Sequence, residues 1–235
     1  NNKFNNLIKK NNSKKKILPI FEVSEPFKFL NKSIFSIIFQ SLNSIYRFDL
    51  RTFFRQILVL INVKKDPFDE YQFIIDFFKK NQLNFISFFR YSRNSLDAAE
   101  VTILSKPYKL LIKNFSDHIY VGLLVSYFAQ LNSNIFKKEY KNLKDLIHRK
   151  SFSVRLNNGI ISLPTIYSDL VNQEVSEDYS MCYNNKIGFR ASSSVPFYFY
   201  DLVNEVQTKL KVFPVFATEE SIRIESNSKI FFNLK

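Results

Sequence analysis

One cysteine, three glycines, two histidines and no tryptophan in 235 residues exclude several kinds of chemistry at the outset. Cys182 alone cannot build an internal disulfide framework, and it supplies no thiolate cluster for zinc or an iron–sulfur centre. His118 and His148 are too few for a histidine-rich metal site. Gly122, Gly159 and Gly188 lie far apart, and no GxGxxG, P-loop or GxSxG occurs, so nucleotide hydrolysis is not expected. Long apolar runs are missing too. FSIIFQSLNSIY and HIYVGLLVSYFAQL are broken by polar residues before the roughly 20 residues that a membrane span requires, and both read as buried helices. The remaining candidates for chemistry have plainer roles. His118 beside Asp117 reads as a helix cap with an exposed imidazole, and Cys182 as a small buried residue. Asp66, Asp69 and Glu70 lack the spacing and glycine of a calcium loop. No catalytic residue, cofactor or metal ligand is expected.

What the chain has is phenylalanine and positive charge. Lys and Arg number 34 against 21 Asp and Glu, a net charge of +13, which favours a polyanionic partner. Phe occurs 27 times, and Asn, Ile and Lys are abundant. These are residues of A/T-rich codons, so an A/T-rich genome, organellar in type, accounts for part of the lysine excess. No targeting signal is argued from the first residues, because the sequence starts at Asn1 without a methionine.

Residues 1–20 form a basic tail, with Lys3, Lys9, Lys10, Lys14, Lys15 and Lys16 among asparagines and little to bury. Residues 21–115 read as a helical domain. Ser24, Glu25 and Pro26 look like the start of a helix running to about Tyr46. Arg47, Arg51 and Arg55 then fall on one stripe if RFDLRTFFR is helical, either contacting phosphate or pairing with carboxylates such as Asp49. Residues 57–63 suit a strand or a buried helix end. From Asp66 to Lys80 acid precedes base, as the helix macrodipole favours, with Phe68, Tyr71, Ile74, Ile75 and Phe78 as the buried stripe. The aromatic run 85–91, next to Arg90 and Arg93, reads first as core, and 105–130 supplies one or two further helices. In 171–235, VPFYFYDL, KVFPVF, SIRIES and KIFFNL suggest strands. The expected fold class is therefore α+β, with a helical N-terminal part and a β-rich C-terminal part.

Between these, residues 133–166 read SNIFKKEYKNLKDLIHRKSFSVRLNNGIISLPTI. Phe136, Tyr140, Leu143 and Ile147 recur at i, i+4, i+7 and i+11, the spacing of one helix face. Lys137, Lys138, Lys141, Lys144, His148, Arg149 and Lys150 fall largely on the remaining circumference, and Ser133 or Asn134 is placed to cap the start. Phe152, Val154 and Leu156 then alternate with Ser153 and Arg155. Asn157-Asn158-Gly159 interrupts before 160–163, which predicts a strand, a tight turn and a returning strand. A basic helix leading into a hairpin suits a phosphate backbone.

This stretch resembles the RNA-binding module of the S-four family of small-subunit ribosomal proteins, a helix followed by a strand, a turn and a proline-containing strand. Lys144 stands at that family's helix arginine, Leu146 and Ile147 at its apolar pair, and Leu156-Asn157-Asn158 with Leu163-Pro164 at its hairpin. The tail from Val195 onward is similar to the family's C-terminal end. The chain departs from the family at Ser126, Tyr127, Phe128 and Ser133, where arginine-leucine-aspartate and a further arginine are usual. The resemblance implies an RNA-binding module over 116–170. It also implies a structural, non-enzymatic constituent of the mitochondrial small ribosomal subunit, in the matrix, with ribosomal RNA and neighbouring ribosomal proteins as partners and no small-molecule substrate. The expected RNA contacts are Lys137, Lys138, Lys141, Lys144, His148, Arg149, Lys150 and Arg155. The rival expectation is a structural subunit of a mitochondrial membrane protein complex, itself not membrane-spanning.

Overall fold

A computed structural model describes residues 17–92, 105–148, 153–157 and 161–233. Most of the N-terminal tail, together with Arg149, Lys150, Asn158 and Gly159, lies outside them. Mixed α and β structure is found as expected, but the two alternate along the chain instead of segregating. Strands β1 (Ile20–Val23), β2 (Ile86–Arg90), β3 (Tyr120–Val125), β4 (Ser153–Leu156), β5 (Glu177–Asp178), β6 (Phe197–Asp201) and β7 (Val206–Val212) form one sheet in the order β1-β2-β3-β4-β5-β7-β6. All neighbouring pairs are parallel except β6 with β7.

Helices α1 (Ile34–Tyr46), α2 (Leu50–Leu60) and α3 (Tyr71–Lys80) lie between β1 and β2, and α4 (Lys106–His118) between β2 and β3. The short α5 (Tyr127–Leu131) and α6 (Ser133–Ile147) precede β4, α7 (Thr165–Asn172) precedes β5, and α8 (Glu219–Asn233) follows β7. Parallel strands laid down in sequential order, each joined by a right-handed crossover, put every crossover on the same face. Packing agrees. Tyr71 and Ile75, Ile112 and Phe115, Phe136 and Leu143, and Tyr167 and Leu170 share one core with Val23, Phe89, Leu123, Val154 and Val212. The opposite strand face has a smaller cluster, Ile86, Phe88, Leu124 and Tyr179, to which no helix among the described residues contributes.

Several expectations are corrected. β3 replaces the first half of the helix expected over 118–131, and only its end, α5, is helical: Gly122 lies where any Cβ would come within 2.5 Å of the Phe88 ring and 2.7 Å of the Ser153 carbonyl, the close approach of a central strand to its neighbours. The first helix begins at Ile34, with Ser33 as N-cap, and not near Ser24. Asp66 decides this. Instead of opening the next helix, its carboxylate accepts from the backbone N–H groups of Lys28, Phe29, Leu30 and Phe68 at 2.8 to 3.1 Å. The next helix, α3, starts at Tyr71; Tyr71 and Ile75 are buried as expected, whereas Phe68 stays exposed. Residues 57–60 are helical, as part of α2.

The hairpin is also replaced. β4 forms where expected, but its partners are β3 and β5, both parallel. Residues 161–164 are not strand; they lead into α7, which the strand expectation for this region did not contain. Ile166, Tyr167 and Leu170 are the buried side of that helix. At the C-terminus most of VPFYFYDL and the first residues of KVFPVF are strand, whereas SIRIES and residues 229–233 of KIFFNL belong to α8. The Thr218 hydroxyl caps that helix by accepting from Ser221 N–H, and Glu219 pairs with Arg223 one turn on, so local bonds override a two-residue alternation.

Candidate nucleic-acid interface

α6 is positioned by its own sequence. Asn132, one residue before the expected cap, accepts from Asn134 and Ile135 N–H at 3.0 and 3.3 Å. Phe136, Tyr140, Leu143 and Ile147 are buried as the spacing predicted, and Glu139 is buried beside them. On the other side Lys137, Lys138 and Lys141 are exposed and Lys144 is half-buried. His148 is exposed at the C-cap, in the left-handed conformation at φ 53°. At about 100° per residue, Lys137, Lys141, Lys144 and His148 fall within an arc of roughly 60° and span about 16 Å of helix. This is a single basic stripe, each member one residue beyond a core position and so about 100° around the helix from the buried stripe. Arg149 and Lys150 lie outside the described residues.

Arg155 does not belong to this surface. It is 6% exposed, its Nε donates to Glu22 at 2.5 Å, and a guanidinium N–H donates to the Tyr179 carbonyl. The expected hairpin arginine is therefore an internal tie between β1, β4 and the residue after β5. Alternation along β4 sends Val154 and Leu156 to the helix side and Arg155 to the other side, where charge is tolerated because a carboxylate and a carbonyl meet it.

Two further groups of basic and aromatic residues are exposed. Arg51 and Arg55 on α2, with Lys64 and Lys65 after it, line an open cleft of about 430 Å³ together with Phe54 and Leu58. Arg47 does not share their stripe, because α1 ends before it and the chain turns at Phe48. Asp49, a possible arginine partner, instead caps α2 by accepting from Thr52 N–H at 3.0 Å. At the sheet edge, Tyr198 and Tyr200 on β6 are exposed, and Lys211 Nζ lies 6.0 Å from the Tyr198 ring. Their alternation in VPFYFYDL predicts a strand and carries no functional signal.

The buried acids are engaged internally. Burial pushes the Glu139 carboxyl up from its ordinary value, against hydrogen bonds from Ser126 and Ser92 and the charge of Arg90. Ser126 Oγ donates to Glu139 at 2.6 Å and accepts from Ala129 N–H at the start of α5, so this hydroxyl is committed to holding the chain. Asp178, fully buried, is likewise pushed up by burial while Ser180, Tyr167 and the Arg155 charge pull it down; it accepts from the Tyr167 hydroxyl at 2.7 Å and from Ser180 Oγ. Burial also raises the Cys182 thiol, which keeps it protonated, as a small core residue would be. His118 sits exposed in the last turn of α4, its Nδ1 2.8 Å from the Asn114 carbonyl. Among the described residues no three His, Cys, Asp or Glu side chains gather as a metal site, and no helix is long and apolar enough to cross a membrane.

The chain is thus a mixed α/β protein with a mostly parallel seven-stranded sheet and an exposed lysine stripe. Compared with known proteins, the sequence matches no family model and no curated protein.

Proposed function

We propose that the protein is a structural, RNA-binding constituent of the mitochondrial small ribosomal subunit. The observation that carries this reading is the α6 stripe: Lys137, Lys141, Lys144 and His148 aligned along one side of the helix, beside the buried arc. Cations in a row on a rigid helix suit a phosphate backbone, which in A-form RNA is read by shape and charge. Lys138 flanks the row, and Arg149 and Lys150 extend it along the sequence. The resemblance to the S-four family enters this reading at the helix and the strand after it, residues 133–156; the returning strand takes no part.

The test is binding of the full chain to a folded small-subunit ribosomal RNA fragment at several salt concentrations. Four lysine contacts give a slope of log affinity against log salt near −3, so a fourfold rise in salt weakens binding on the order of a hundredfold. Lys137→Glu, Lys141→Glu and Lys144→Glu together abolish that binding without lowering the melting temperature. Salt-insensitive binding, or binding unchanged in the triple variant, overturns the reading.

A second reading, a structural subunit of a mitochondrial membrane protein complex, is favoured by one observation: the apolar residues that α1 turns outward. The triple variant separates the two, since a subunit of a protein complex keeps its assembly when the lysine stripe is reversed.

A further inference from the structure

α1 is built inside out. The arc containing Ser36, Ile37, Gln40, Ser41 and Ser44 is the covered one, and Gln56 on α2 donates to the Ile37 carbonyl from that side. The other arc carries Ile34, Phe35, Ile38, Phe39, Leu42, Ile45 and Tyr46, between 46% and 86% exposed. A helix placed by the hydrophobic effect does the reverse. At roughly 150–250 Å² for a large aromatic side chain, these seven amount to on the order of 800–1,000 Å², against about 800 Å² per partner in a stable complex. A patch of this size marks an interaction surface. α2 continues it, with Leu50, Phe54, Ile57 and Ile61 exposed on one stripe and Arg51 and Arg55 along its flank.

Charge selects the occupant. Between residues 32 and 65 the cations are Lys32, Arg47, Arg51, Arg55, Lys64 and Lys65; the only acid is Asp49, which caps α2. A second copy would bring the same cations to the interface. RNA offers nothing to cover a row of Ile, Phe and Leu. A lipid surface is met by helices whose polar face is rich in Lys and Arg, but the covered arc of α1 has no charge, and Arg51, Arg55, Lys64 and Lys65 line a concave cleft with Phe54 and Leu58. A cleft that mixes guanidinium and apolar groups fits a carboxylate side chain flanked by apolar ones. We infer that the outward face of α1 and α2 is the docking site for a neighbouring protein that presents an amphipathic helix with Leu- or Phe-type anchors and flanking Asp or Glu. The inference does not depend on RNA binding, because the two are measured separately and on different residues.

The test uses the full chain and a synthetic amphipathic peptide of about 20 residues, with leucines at i, i+3, i+4 and i+7 and glutamates flanking them. A control peptide carries lysine at the glutamate positions. The glutamate peptide is expected to bind at least tenfold more tightly than the control by fluorescence anisotropy. Phe35→Ser with Phe39→Ser removes binding of both, and Arg51→Glu with Arg55→Glu inverts the preference. That inversion is a gain of binding by the lysine peptide, which misfolding cannot produce. Equal affinity for the two peptides overturns the proposal. So does association with phosphatidylcholine–cardiolipin vesicles that the Phe35/Phe39 variant loses while neither peptide binds, which assigns the face to lipid. Dimerisation in sedimentation that the same variant abolishes assigns it to a second copy.

Discussion

Asp66 fastens both ends of the excursion that α1 and α2 make from the body of the protein, and replacing it should release them. One carboxylate oxygen accepts from Lys28 and Phe68 N–H, both at 2.9 Å, and the other from Phe29 and Leu30 N–H at 2.8 and 3.1 Å. Asp66 is 2% exposed. Burial raises its pKa, but the four donors outweigh burial and hold the carboxyl below its ordinary value. Asp66→Ala leaves four N–H groups without their acceptor. At about 1–3 kcal/mol for each donor that stays dry, and with water reaching the part-buried ones, the loss is about 3–5 kcal/mol. Asp66→Asn keeps one carbonyl oxygen and turns an NH₂ towards the other two donors, so about half of that is lost.

Equilibrium urea denaturation measures both losses, and hydrogen exchange should show faster opening across 28–65 in each variant. The pH dependence has a fixed sign. A carboxylate whose folded pKa lies below its unfolded value of 3.8 contributes stability that is present above that value and is lost as pH falls through the folded pKa; Asp66→Asn lacks this step. If the alanine variant lies within about 1 kcal/mol of wild type, or the two variants are equally stable, the four-donor account of this segment is wrong.

Other expectations follow from the same structure. Gly122→Ala places a methyl against the Phe88 ring and the Ser153 carbonyl, and since that backbone oxygen cannot give way the cost is about 1–3 kcal/mol or more by denaturant midpoint; a neutral Gly122→Ala would mean that β3 and β4 sit farther apart. Arg155→Met strands Glu22 and the Tyr179 carbonyl, which should destabilise the fold by about 2–4 kcal/mol while leaving the salt slope of RNA binding untouched. A changed slope would return Arg155 to the RNA surface. Asp178 runs opposite to Asp66: its folded pKa is raised above 3.8, so the stability it contributes falls as pH rises above the unfolded value and through the folded one. Asp178→Asn should flatten that decline as pH rises above the unfolded value, and parallel profiles for the two proteins would remove Asp178 from the account.

The parts legible in the sequence were those where a local pattern agreed with the tertiary environment. α6 is the clearest, because its apolar spacing at Phe136, Tyr140, Leu143 and Ile147 meets the core with nothing competing. The lysine stripe could be read with it, since the exposed arc of an amphipathic helix is fixed once the buried arc is. Where long-range partners intervened, the local reading failed. The Asn-Asn-Gly run suggested a return to β4, yet β3 and β5 already occupy both edges of that strand. Arg155 read as a surface cation because nothing near it in sequence announces Glu22, 133 residues away. Of Arg47, Arg51 and Arg55 only the last two share a stripe, since the chain turns at Phe48, and Asp66 opens no helix because it is drawn to three amides near residue 29.

By itself the sequence determined the positive charge, the absence of thiolate and glycine-loop chemistry, and the amphipathic register of α6, all of which follow from residue identity and a 3.6-residue period. Only the tertiary structure decided which strands pair, which arginine is buried, and that α1 turns its apolar arc away from the body of the protein. Those outcomes depend on partners distant in the chain, and hydrophobic periodicity, which says that a face is apolar, does not say which way it points.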